Sequence, residues 1–216
     1  MNKQLWALAH KEFLTEWRSR YSQMGVVLYL AASVFILYLG LQQADARLWV
    51  ALYWVVLFFT SVTAIAKSFL QESRMRLLYY QSVASPLAVF LAKALFHFVQ
   101  LLALAALCWL LFSLFFDNPI MHPALFVLIV VSGSLTFVLA FTLMSAIAAK
   151  AAQALLMAVL CLPVVLPSLM LLLRLSHQAA MEGPLDFPWT DLAMLWALDV
   201  ILLLLALILF PYLWRD

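Results

Sequence analysis

The chain has 216 residues, of which 68% are hydrophobic and only 10% charged, with a net charge of +2 and a mean hydropathy of +1.09. A water-soluble domain of this length needs a polar surface that such a composition does not supply, and a charge this small excludes an electrostatic nucleic-acid binder. The sequence therefore reads as an integral membrane protein.

The N-terminal stretch MNKQLWALAHKEFLTEWRSR lacks the apolar core and small-residue cleavage site of a signal peptide. Trp6, Ala9, Phe13 and Trp17 recur at helical spacing, with Lys11 and Arg18 on the opposite face. That pattern predicts an interfacial helix over 1–20, lying in the headgroup plane. The competing reading is a solvated tail.

Six apolar stretches follow, each near the roughly 20 residues needed to cross a hydrocarbon core about 30 Å thick. They are Met24–Leu41, Leu48–Ala66, Ala94–Phe116, Ala124–Ala149, Ala154–Leu173 and Leu192–Trp214. They are continuous runs and do not alternate, which argues against a β-barrel. The expected fold is all-α, with six transmembrane helices, one domain over 1–216 and no internal repeat.

Ser85-Pro86 has the form of an N-cap followed by proline at the first helical position. A helix from there to Phe116 is about 46 Å long at roughly 1.5 Å per residue, more than the core requires. Its first turns, together with the charged stretch KSFLQESRMRLLYYQSVASP, are expected to form a cytoplasmic elbow over 67–93. The longest outer connection is expected over 174–191.

Lysine and arginine fall unevenly about these spans. Ten lie in the N-terminal tail, the second and fourth connections and the C-terminus; two, Arg47 and Arg174, lie on the other side. By the positive-inside rule both termini face the cytoplasm.

The search for chemistry yields little. Four glycines, Gly25, Gly40, Gly133 and Gly183, cannot form a phosphate loop. VSGSLTF lacks the second glycine of a nucleophile elbow, and nothing in the sequence orients His97 as a base for intramembrane hydrolysis. Cys108 and Cys161 sit in apolar runs and read as small core residues. No metal-ligand spacing is present, although His122 and His177 occupy outer connections where a metal or haem ligand is conceivable.

Polar groups inside the spans draw attention because burial in lipid is expensive. Lys93, His97 and Gln100 recur at i, i+4 and i+7 on the third span. The stripe faces either a substrate path or subunit, or it packs: Lys93 snorkels to the headgroups while His97 and Gln100 bond other helices. Asp199 in the last span is expected to meet a hydroxyl or a cation, to line a wet cavity, or to couple protons. Pro163 and Pro167 in CLPVVLPSL are expected to kink or break the fifth span, as a packing bend or beside a pathway.

Taken together, these features resemble the ABC-2 class of exporter permeases and, within it, the CcmB family, haem exporter protein B of cytochrome c maturation. Two segments carry the resemblance. The first maps a family pattern of acid after aromatic, Pro-Leu start, apolar run, Lys and His onto Phe69, Glu72, Pro86, Leu87, Lys93 and His97. The second is LCLPVVLP (160–167), with Lys150 in the turn before it. The elbow here lacks the Gly-x-Leu-Glu element typical of that family.

The resemblance implies a non-catalytic permease in the bacterial inner membrane. It implies a cytoplasmic ABC ATPase partner holding ATP and magnesium, and a haem-handling membrane subunit. Haem is implied as substrate, not as a cofactor of this chain, and a homodimer is an open arrangement. The elbow is the expected ATPase contact, through Glu72, Arg74, Arg76, Pro86 and Lys93. The alternatives are an ABC-2 permease for another amphipathic substrate and a membrane assembly scaffold without transport.

Overall fold

In the computed structural model, residues 6, 8, 10–14, 20–66, 85–150, 154–181 and 187–215 are described. Six long helices account for nearly all of them: α1 (Arg20–Leu41), α2 (Ala46–Ile65), α3 (Pro86–Phe115), α4 (Pro123–Lys150), α5 (Ala154–Ala179) and α6 (Trp189–Arg215). All six are long and apolar enough to cross a membrane, and no strand occurs among the described residues. Each expected span corresponds to one helix.

Local chemistry sets the helix ends. Gln42 takes the left-handed conformation (φ 56°) and ends α1, its N–H donating to Tyr38 O at 3.0 Å. Asp45 then opens α2, its carboxylate accepting from Leu48 N–H at 2.9 Å. Pro86 begins α3 as its position after Ser85 predicts, although the Ser85 side chain forms no cap bond. Pro123 begins α4 in the same way.

The connection between α3 and α4 turns on Asn118, whose side-chain oxygen accepts from Ile120 N–H at 3.1 Å. It then tethers α5: the N–H groups of Met121 and His122 both donate to Ala179 O, an otherwise orphan carbonyl at the helix end.

Two expectations about α5 are corrected. The outer connection is shorter than 174–191, because α5 continues past Arg174 to Ala179 and α6 begins at Trp189. Arg174 does not stop the helix: its side chain is 70% exposed and reaches Asp191 at 3.8 Å, at the start of α6. Nor do the prolines break α5, which runs through both. Pro163 and Pro167 lie on its exposed face with Leu162 and Leu166, while Cys161, Val165 and Ser168 face inward.

α4 is the central helix, packed against α2, α3, α5 and α6. Of its most apolar stretch 72% is buried, against 17% for α1, which lies at the edge against α2 and α3. Large aromatic side chains fill the core beside α4. Trp49 and Tyr53 stack at 5.6 Å and meet Phe112 and Phe126.

Trp54 packs on Phe137 and donates its indole N–H to Ser176 Oγ at 2.8 Å. Gly133 makes this possible, since a Cβ there would lie 2.6 Å from Trp54 Cη2 and 2.8 Å from Leu172 Cδ2. Hydroxyls within the spans bond back onto their own helices, as Thr60 does to Val56 O and Ser61 to Leu57 O. A buried hydroxyl in hydrocarbon needs such an acceptor.

Candidate functional site

Lys93, His97 and Gln100 occupy one face of α3, as their spacing requires, and that face looks inward onto two other elements. Lys93 is 2% exposed. Its ammonium lies 3.4 Å from Glu12 Oε2, and Lys11 Nζ lies 2.6 Å from Glu12 Oε1. The expected snorkelling of Lys93 to the headgroups is therefore corrected. A buried acid on the N-terminal segment meets the ammonium inside the structure, and the two charges partner one another there.

Further along the stripe, His97 Nδ1 lies 3.2 Å from Gln100 Oε1, and Gln100 Nε2 donates to Gln23 Oε1 of α1 at 2.6 Å. The carboxamide can satisfy both neighbours because it carries an acceptor and a donor.

The N-terminal segment is helical at residues 10–14. Its docking rests on Glu12, on Leu8, and on Phe13, whose ring meets Phe96 edge-on at 5.1 Å. Trp6 is 72% exposed and takes no part in that docking. Burial alone would raise the Glu12 carboxyl, but the charges of Lys93 and Lys11 outweigh it and hold the group below its ordinary value. The acid stays ionised at neutral pH, and the pair is a true salt bridge.

The stripe thus ties together the N-terminal helix, α3 and α1 by an ion pair and an amide ladder. Among the described residues no three metal-ligating side chains cluster.

A second polar seam runs between α4 and α6. Trp196 Nε1 donates to Ser132 Oγ at 3.1 Å, and one helical turn on, Thr136 Oγ1 donates to Asp199 Oδ1 at 2.5 Å. Asp199 thus meets a hydroxyl, one of the partners expected for it. Glu72, Arg74 and Arg76 lie outside the described residues, as does most of the elbow. Of the expected contact residues that are described, Lys93 meets the N-terminal helix through Glu12, and Pro86 stands at the start of α3.

Sequence reasoning missed Glu12, Gln23 and Thr136. Glu12 carried only a weak signal: it falls three residues after Ala9, at the edge of the apolar face of the predicted interfacial helix and about 100° from Phe13. Gln23 and Thr136 carry no such signal, because a single polar residue in a span does not name its partner.

Six spanning helices with buried polar seams and a charged connection define a polytopic helical membrane protein. Residues 3–171 match the ABC-2 type transporter family, and the chain belongs to that family. Its members are the membrane-spanning permeases of ABC transporters, which work with an ABC ATPase. No curated protein matches the chain, and no solved structure does.

Proposed function

We propose that the chain is the permease subunit of an ABC transporter that moves or releases haem for cytochrome c maturation, with ATP hydrolysed on a separate cytoplasmic subunit. Family membership over residues 3–171 supports the transport role. The haem reading is supported by the order of Phe69, Glu72, Pro86, Leu87, Lys93 and His97 and by the paired prolines Pro163 and Pro167. In this reading residues 1–216 act as one permease domain in the bacterial inner membrane, as a homodimer beside a haem-handling subunit. The ten-to-two charge asymmetry supports termini facing the cytoplasm.

The ATPase docks on the elbow 67–93 through Glu72, Arg74 and Arg76, and its movement enters α3 at Pro86. The observation that carries this mechanism is the buried Lys93–Glu12 pair, with Gln100–Gln23 behind it. A rigid α3 held at those two points passes displacement to the N-terminal helix and to α1 together. ATP biases the equilibrium only through contacts that differ between the two states, and the elbow is where such contacts form.

Mild-detergent copurification tests this reading. The wild-type chain is expected to bring down an ABC ATPase and a haem-containing subunit with a Soret band, and Arg74→Glu with Arg76→Glu to lose the ATPase. Copurification and cytochrome maturation unchanged by the double reversal overturn the docking.

A second reading, an ABC-2 permease for another amphipathic substrate, is favoured by the missing Gly-x-Leu-Glu element. It predicts the ATPase without haem. A scaffold without transport predicts no ATP-dependent change in spin-label distance between α2 and α5.

A further inference from the structure

A hollow of about 390 Å³ lies between α3, α4 and α6. Its walls are apolar, among them Leu95 and Phe98 from α3, Leu135 and Val138 from α4 and Val200 from α6, with Asp199 as the only ionisable group among the described residues. Leu95, Leu135 and Val200 are 40%, 38% and 55% exposed. The hollow therefore opens sideways off a membrane-spanning bundle, towards hydrocarbon.

Asp199 itself is 5% exposed. Its Oδ1 accepts from Thr136, while Oδ2 is buried with no hydrogen-bond partner among the described residues. An unmet acceptor in hydrocarbon is costly, and an ionisable side chain at this depth marks a site. The wall chemistry specifies an apolar body, and the unmet oxygen specifies one donor, best a charged one.

Depth narrows the source of that donor. Asp199 stands ten residues into α6, about 15 Å along its axis from Trp189. That is near the middle of a hydrocarbon core about 30 Å thick. A phospholipid ammonium sits at the headgroups and does not reach it.

We propose that this hollow is a lateral binding site for a lipophilic amine, a compact apolar molecule with one protonated nitrogen that pairs with the Asp199 carboxylate once a side-chain rotation turns the buried Oδ2 into the hollow. The volume lies within the usual range for small-molecule sites. The site goes beyond the transport reading and stands independently of haem as cargo, because its readout is equilibrium binding to this chain.

The test uses the full chain in lipid nanodiscs with three probes that share one apolar body: pyrenemethylamine, pyrenemethanol and pyreneacetic acid. Energy transfer from tryptophan reports occupancy, since Trp196 lies one turn from Asp199 on α6. Saturable binding is expected for the amine, about tenfold or more tighter than for the alcohol, and no saturable binding for the acid.

Asp199→Asn keeps an acceptor for the Thr136 hydroxyl and should reduce the amine to the affinity of the alcohol. Leu95→Trp leaves the acid intact, fills the hollow and should abolish saturable transfer for every probe. Circular dichroism and thermal unfolding establish that both variants are folded. Equal affinities for the three probes, or an unchanged amine affinity in Asp199→Asn, overturn the proposal. So does a carboxyl-directed crosslink in native membranes from Asp199 to a lysine of another subunit, which would assign the acid to a protein partner.

Discussion

Replacing Glu12 by alanine removes an ion-pair partner of a lysine that is 2% exposed. Breaking a buried pair from one side costs about 3–5 kcal/mol. The lower end applies here, because the flexible Lys93 stem can carry its ammonium part of the way to the headgroups once the acid is gone. A loss of about 3 kcal/mol corresponds to a factor of roughly a hundred in the docking equilibrium of the N-terminal helix.

Hydrogen exchange in nanodiscs reads this directly: amides at 10–14 should exchange faster by up to that factor, while those in the middle of α4 stay unchanged. Glu12→Gln and Lys93→Met, singly and together, complete a double-mutant cycle. A coupling energy below about 0.5 kcal/mol, the limit for independent sites, would refute the salt-bridge reasoning.

The sign of the pH effect follows as well. The folded-state carboxyl titrates below its ordinary value of 4.5. Its contribution is therefore present above that value and lost as the pH falls through the depressed folded value. Protection factors at 10–14, with the intrinsic pH dependence of exchange divided out, should be flat near neutrality and fall only in acid, and in Glu12→Gln they should lose that acid fall.

Three further perturbations follow from the packing. Gly133→Ala sets a methyl 2.6 Å from the Trp54 ring, and should destabilise the bundle by about 1–3 kcal/mol, read as a lower thermal midpoint; an unchanged midpoint would show that α2 and α5 move apart freely. Asp45→Ala should cost about 1 kcal/mol through loss of the α2 cap, and Asp45→Asn should be close to neutral in the same assay. Gln100→Leu should cost about 0.6–1.7 kcal/mol by breaking the bond to Gln23. A double-mutant cycle with Gln23→Leu should show coupling between the two amides; additive losses would mean that they act separately.

The helices were legible because lipid imposes one requirement on all of them: a continuous apolar run in which every backbone group bonds internally. Ser85-Pro86 marked the start of α3 for a local reason, the fixed φ and missing donor of proline. At Arg174 the same logic misled. A charge near a span was taken as its end, whereas a long side chain at the membrane surface leaves the backbone free to continue.

The polar stripe on α3 was visible as a spacing, but not its partners. Glu12 lies 81 residues from Lys93 and Thr136 lies 63 from Asp199, and no local rule connects them. Pro211, inside α6, drew no comment in the sequence, because an apolar run surrounds it on both sides.

The central place of α4 bears on how the chain is made. Helices leave the ribosome in order, so α2 and α3 enter the membrane before their shared neighbour exists. Until α4 arrives, Trp54 faces a gap where Gly133 will later seat it. α5 and α6 then close over the other sides of α4, bringing Ser176 to Trp54 and Asp199 to Thr136 only at the end of synthesis. These two interior polar bonds thus form last, and they act as latches on a bundle already inserted.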